Sequence, residues 1–204
     1  MIKKFLVAAL TAVVFASSAE ALSVKHDFTA FVGPFNASTA EFEYTLTKKS
    51  YAVRSVVRTN GTFGFLYPFE ANYYTGGSIE GDRLETSAYR YTSQSRFNKR
   101  SKVMIYNEDG QPVFAVSSKN GREKKKEIEA TADSKNTTNL QTVLAAIARQ
   151  YNQVGFCDSR IPIFDGKRRF DAIFRDEGKE EIKANEYSAF AGRAAKCSMY
   201  IDKL

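Results

Sequence analysis

Two cysteines, one histidine and a short basic turn carry most of the chemistry this chain offers. Cys157 and Cys197 are its only cysteines and His26 its only histidine. Hydrolysis through a Ser-His-acid arrangement would need His26 as its base. His26 lies among alternating residues of a predicted first strand, where a solvated edge-strand histidine is the plainer reading. A zinc site of ordinary ligand count cannot be assembled from one histidine and two cysteines. Glu41 with Glu43 and Glu180 with Glu181 are the carboxylate pairs that glycosidase chemistry would call on. The first pair shares an outward strand face and the second lies near a turn, so solvated faces account for both. No glycine-rich phosphate loop follows a strand and opens a helix. The sequence therefore assigns no catalytic residue, no metal ligand set and no cofactor, and a non-enzyme is expected.

Asp165-Gly166-Lys167-Arg168-Arg169 has two readings. In one it is an anion site, because two guanidiniums can each grip a phosphate or carboxylate in a bidentate way. In the other it is a tight turn, in which Asp165 accepts local backbone bonds and Asp171 or another carboxylate pairs with an arginine. The turn reading is favoured. Arg168 shares a strand face with Phe170, so any burial of it requires a partner.

The first residues place this chemistry outside the cytoplasm. Lys3 and Lys4 precede an apolar run from Phe5 to Phe15, and Ala19-Glu20-Ala21 supplies small residues where a signal peptidase reads. The run is too short to span a bilayer as a helix. Residues 1–21 are read as a cleaved signal peptide and residues 22–204 as one β-rich periplasmic domain with no integral membrane segment. In an oxidising compartment an even cysteine count argues for a disulfide between Cys157 and Cys197, against two free thiols or a metal site. The loop it would close, of roughly forty residues, makes it worth about 4 kcal/mol by chain entropy.

The net charge is +7, with sixteen Phe, eleven Tyr, four Pro and no Trp. Phe and Tyr suit strands and wide cores, and their spread predicts one continuous aromatic-rich core. A moderate basic charge suits solvated faces or anionic envelope molecules, and export argues against nucleic acid.

Period-two alternation dominates. His26 to Val32 is one strand, ended by Gly33-Pro34. Phe42, Tyr44 and Leu46 share one side of the next, opposite Glu41, Glu43 and Thr45. Tyr51, Val53 and Val57 follow, and Asn60-Gly61 turns the chain. Thr62 to Phe69 is unusually apolar for a connection and reads as a short helix or a packed corner. Gly76-Gly77 is expected to break the next strand. Asn107-Glu108-Asp109-Gly110 joins two strands as a hairpin. Lys119 to Asn136, with Lys124-Lys125-Lys126 interleaved with Glu123, Glu127 and Glu129, reads as a solvated loop. Leu140, Val143, Leu144, Ile147, Ala148 and Tyr151 recur at helical spacing. Thr138 and Gln141 are placed for a capping box and Gly155 for a terminator. This helix is expected to lay its apolar stripe on the sheet or to plug one end of a barrel. Beyond it, Asp165-Gly166 turns a hairpin, Gly178 marks another turn before a short strand at 180–184, and Lys196 to Asp202 is the last strand.

Taken in order, several of these segments resemble the bacterial exported family labelled domain of unknown function 3108. They are Asn60-Gly61-Thr62-Phe63-Gly64-Phe65-Leu66-Tyr67-Pro68-Phe69, Gly81-Asp82-Arg83-Leu84 leading to Tyr89-Arg90-Tyr91, Ile161-Pro162-Ile163-Phe164-Asp165-Gly166-Lys167-Arg168-Arg169-Phe170-Asp171 after Cys157, and a late Cys197. The resemblance spans nearly the whole mature chain. It implies a periplasmic protein of Gram-negative type and no established activity. It also implies further strand material past the second cysteine, so a chain that stops at Leu204 leaves both a closed barrel and an open half-barrel as expectations.

The expected fold is mainly β: a curved antiparallel sheet forming a half-barrel or barrel, with one amphipathic helix packed on it. Two functions are expected from it. The first is a non-catalytic binding module for a hydrophobic or amphipathic cell-envelope molecule such as a lipid, held by Phe and Tyr side chains. The second is an envelope assembly or structural factor acting through protein contacts, with an exposed edge at Lys196–Leu204 that accepts a partner strand.

Overall fold

A computed structural model describes residues 21–203 apart from 82, 109, 130, 132, 133 and 186–189. The proposed signal peptide at 1–21 thus lies almost wholly outside the described residues. Among the described residues, eleven strands and two helices follow in the order β1 (Leu22–Val32), β2 (Phe35–Leu46), β3 (Ser50–Thr59), α1 (Gly61–Leu66), β4 (Phe69–Glu80), β5 (Arg83–Ser95), β6 (Lys99–Tyr106), β7 (Pro112–Lys119), β8 (Arg122–Glu127), α2 (Leu140–Val154), β9 (Ser159–Phe164), β10 (Arg169–Ile182) and β11 (Gly192–Lys203).

The first eight strands form one antiparallel meander in sequence order, and the last three form a second sheet in the order β11-β10-β9. The mainly β antiparallel class is as expected. The large sheet is not a closed barrel: β1 and β8 are its two edges and do not pair with each other. No described helix is long and apolar enough to cross a membrane.

Alternation builds the large sheet as read from sequence. Tyr44 stands opposite Val53 and Leu46 opposite Tyr51, and these side chains meet α2, where Ala145 packs against Tyr51 and Val53. Gly76-Gly77 does not end β4. The strand runs through them with a register shift, because a Cβ at Gly77 would sit 1.8 Å from the Glu85 carbonyl oxygen; glycine there lets β5 come close. Gly178 likewise sits within β10, where the register shifts between Asp176 and Lys179, so the short strand expected at 180–184 is the continuation of β10.

The apolar stripe of α2 does not lie on the large sheet. Leu140 and Leu144 are exposed, while Gln141, Thr142, Val143 and Ala145 are buried. The reason is a polar network beneath the helix. Thr142 Oγ1 lies 2.8 Å from the Tyr51 hydroxyl and 3.0 Å from Thr86 Oγ1. Asn139 Nδ2 donates to Thr75 Oγ1 at 2.9 Å and to Thr142 Oγ1 at 3.0 Å, and Gln141 Nε2 donates to Ser55 Oγ at 2.8 Å. Asn139, not Thr138, caps the helix: its Oδ1 accepts from the Gln141 and Thr142 amides. Gly155, at φ 79°, closes the helix as expected.

The core is three separate clusters, not one aromatic mass. Met104, Tyr106, Ala115, Ile128 and Phe164 form one; Val143, Ile163, Ala172 and Phe174 a second; Tyr51, Val53 and Ala145 a third. Many aromatics lie outside them, and Phe28, Phe35, Phe65, Tyr67 and Phe97 are exposed. With hydroxyls and amides holding the helix to the large sheet, little closed apolar volume is left for those rings to fill.

Candidate functional site

A pocket of about 410 Å³ opens where the large sheet, α2 and the β9–β10 hairpin meet. The sheet contributes Phe42 from β2, Val57 from β3, Tyr73 from β4, Tyr89 from β5 and Met104 from β6; the helix adds Leu140 and Leu144, and the hairpin Phe164 and Phe170. These sheet residues share one face because strand partners across the ladder stand on the same side. The two leucines that α2 withholds from the sheet are therefore part of this wall. The Tyr73 and Tyr91 rings lie 4.9 Å apart beside it. Burial pushes the Tyr89 hydroxyl up to about 12, with Tyr73 and Tyr91 adding to the shift.

Polar groups in the pocket are few. Gln141 lines it, is 7 % exposed, and its Oε1 has no hydrogen-bond partner among the described residues. An orphan acceptor at that depth costs about 1–3 kcal/mol unless a donor reaches it. Lys102 and Asp165 stand at the margin. Lys102 Nζ donates to the Asp165 carbonyl, and Lys126 Nζ donates to the Gly166 carbonyl at 3.3 Å. Burial holds the Lys102 ammonium below the usual lysine range; the Asp165 charge opposes this, and Lys167 and Lys126 reinforce it.

The β9–β10 turn has the geometry of the structural reading. Asp165 Oδ1 accepts from the Lys167 and Arg168 amides at 2.7 and 2.9 Å. Gly166 takes φ 93°, and a Cβ there would lie 3.1 Å from Lys102 Nζ. Arg168 is exposed, and Arg169 Nη1 donates to the Lys135 carbonyl at 3.0 Å. Buried Asp171 pairs with Arg160 at 2.8 Å, not with either arginine of the motif.

Segment 119–136 is not simply a loop, because β8 lies within it. In an irregular loop its interleaved lysines and glutamates would neutralise one another. A strand sends alternate side chains to opposite faces. Register places Lys124 in line with Ser117 and Lys102, Arg122 with Lys119 and Arg100, and Lys126 with Ala115 and Met104. Arg100, Lys102, Lys119, Arg122, Lys124 and Lys126 thus share the pocket's face of the sheet. Glu123, Lys125 and Glu127 take the other, where Glu123 and Lys125 pair at 3.5 Å. The signal in the sequence is that positions 122, 124 and 126 are all cationic while Glu123 and Glu127 stand at odd positions, a period of two that the overall polarity of the segment conceals.

Cys157 and Cys197 form a disulfide. The Cys157 amide donates to Asp176 Oδ2 at 3.0 Å. These three residues cluster tightly, but bridged sulfurs offer neither a nucleophile nor a thiolate ligand. The remaining expected groups are apart from the pocket. His26 is exposed on β1 beside Phe28, with ring centroids 6.3 Å apart. Glu41 pairs with Lys25 at 3.3 Å and Arg58 at 3.0 Å, and Glu180 with Lys196 at 3.4 Å.

The family model described as Protein of unknown function (DUF3108) matches residues 27–199, and the chain belongs to that family. No curated protein and no solved structure matches it significantly.

Proposed function

We propose that the chain is a non-catalytic periplasmic binding module, exported by its leader, that holds a hydrophobic or amphipathic cell-envelope molecule in a half-barrel capped by α2. The observation that carries this reading is the apolar pocket walled by Phe42, Tyr73, Tyr89, Leu140, Leu144 and Phe170, since ligand sites are concave, mostly apolar and furnished with a few placed polar groups. Its volume suits an acyl chain or a small ring system. The cations of β6 and β8 beside it favour a ligand whose polar end is anionic, and a donor on that ligand would satisfy Gln141.

Native mass spectrometry of protein purified without detergent tests the proposal. We expect a co-purifying amphiphile that is lost in Leu144→Trp, which fills the pocket from an exposed helix position and leaves the fold intact. A ligand-free protein that also fails to take up an added anionic amphiphile would refute it.

A second reading, an assembly factor acting by strand addition, draws on β11. It is an edge of the three-stranded sheet, and Met199, Tyr200 and Ile201 are exposed. A photocrosslinker at Tyr200 that traps one dominant protein in cells would favour it; diffuse capture would remove it.

A further inference from the structure

In an antiparallel meander, alternate connections fall at the same end of the sheet. The β1–β2, β3–β4, β5–β6 and β7–β8 connections share one end and the other three share the opposite end. The two ends differ in chemistry. Among the described residues, the connections at the second end offer Lys48, Lys49, Gly81, Asn107, Glu108 and Gly110, and the large apolar residue at least half exposed beside them is Leu22 at the start of β1. The first end presents Val32, Phe35, Phe65, Leu66, Tyr67 and Phe97, all at least half exposed; Phe65, Tyr67 and Phe97 are 77, 72 and 79 % exposed. Helix α1, which carries two of them, buries none of its six residues.

These apolar tips are held in place. The Asn60 amide donates to the Ala37 carbonyl at 3.0 Å, tying the second of these connections to β2 near its start. Arg96 Nη2 donates to the Phe65 carbonyl at 2.9 Å, joining the second and third. Asn120 joins the third and fourth: its Oδ1 accepts from the Lys99 amide at 2.7 Å and its Nδ2 donates to the Phe97 carbonyl at 3.4 Å. The protein thus fixes several large apolar side chains in water, an arrangement that costs free energy unless something covers them.

Charge identifies the cover. Arg96, Lys99, Arg100, Lys119 and Arg122 stand in or next to the same connections and are exposed. None of them forms an ion pair with a described residue. The four connections hold no carboxylate; the neighbouring Glu70 is engaged by Arg58 and Glu123 by Lys125. Aromatic tips ringed by uncompensated cations match a bilayer interface, where rings enter the headgroup layer and cations meet anionic lipid. We propose that this end of the large sheet docks the protein on an anionic membrane surface, standing the strands on the leaflet by their odd-to-even connections. This does not depend on the pocket holding a ligand.

Co-sedimentation with vesicles tests it, using protein purified in the form in which the cell accumulates it. The vesicles contain phosphatidylethanolamine with phosphatidylglycerol, or phosphatidylcholine alone. We expect binding to the anionic vesicles, weakened by salt, and little to phosphatidylcholine. The Phe65→Ser/Tyr67→Ser/Phe97→Ser variant should bind roughly a hundredfold more weakly. Lys99→Glu/Lys119→Glu should lose at least about tenfold. Lys48→Glu/Lys49→Glu, at the opposite end, should bind as wild type does. All these positions are exposed, so unchanged melting temperatures verify that each variant is folded. Failure to bind anionic vesicles, indifference to lipid charge, or unchanged binding of the triple variant (as an apolar N-terminal segment acting alone would give) overturns the proposal. So does a self-association that the triple variant abolishes without any vesicle binding.

Discussion

Replacing Asn139 by alanine should destabilise this protein more than truncating Leu144, the reverse of what the helix's apolar periodicity suggests. Asn139 is 5 % exposed and acts on both sides of the α2 terminus. Its Oδ1 caps two amides, a role whose loss costs about 1 kcal/mol and up to about 2. Its Nδ2 donates to Thr75, Thr142 and Thr86 at 2.9, 3.0 and 3.3 Å. A buried hydrogen bond is worth about 1 kcal/mol net. The hydroxyls of Tyr51, Thr86 and Thr142 already bond one another and will re-pair in part, so this side contributes about 1–2 kcal/mol and the total for Asn139→Ala is about 3 kcal/mol. Leu144 is 42 % exposed, so Leu144→Ala should cost about 1 kcal/mol, well under the 2–5 of a core leucine. Urea unfolding followed by circular dichroism reads the comparison. With a slope near 2 kcal/mol/M, Asn139→Ala should lower the midpoint by about 1.5 M and Leu144→Ala by about 0.5 M. Asn139→Ser, which retains a capping oxygen, should recover about 1 kcal/mol of the loss. If Leu144→Ala proves the more destabilising, or Asn139→Ala shifts the midpoint by less than about 0.3 M, the polar seating of α2 is wrong.

The disulfide spans forty residues of sequence, so Cys157→Ala/Cys197→Ala should lose up to about 4 kcal/mol in the same assay. Protease should then cut first in β11, whose only strand partner among the described residues is β10, and unreduced wild-type protein should titrate no free thiol. In alkali, Tyr44 and Tyr89 are each pushed up to about 12, chiefly by burial. A folded pKa above the unfolded value of about 10 means that the native state retains protons the unfolded chain has released. Their contribution is therefore complete below pH 10 and is lost between about pH 10 and 12. Absorbance at 295 nm should show a tyrosinate step coincident with unfolding in that window; smooth ionisation near pH 10 without unfolding would contradict their burial.

Much of the architecture was legible because strand alternation is a local property. Phe42-Tyr44-Leu46 against Glu41-Glu43-Thr45 places a strand and its faces without knowledge of the partners, and Asn60-Gly61, Asp165-Gly166 and Gly155 mark chain reversals that glycine permits. The paired cysteines were legible by count. The pocket was legible only as a surplus of aromatic residues with no assigned location. Gly76-Gly77 and Gly178 misled because a glycine that ends a strand and one that makes room in a bulge are identical in sequence; only the approach of Glu85 to Gly77 tells them apart.

Residue type and spacing alone determined the β class, the antiparallel hairpins, the helix and its end, and the membership carried by the segment around Asp165. Each of these follows from backbone preferences acting over a few residues. Tertiary structure decided which side of each element met which neighbour. It set Thr142 and Asn139, not Leu144, against the sheet, because Tyr51, Thr75 and Thr86 supply hydrogen-bond partners that a leucine cannot use. It separated Lys124 from Glu123 by pairing β8 with β7, and it gathered Phe35, Phe65 and Phe97 at one end of a meander. Those outcomes depend on contacts between residues far apart in the chain, which no local pattern encodes.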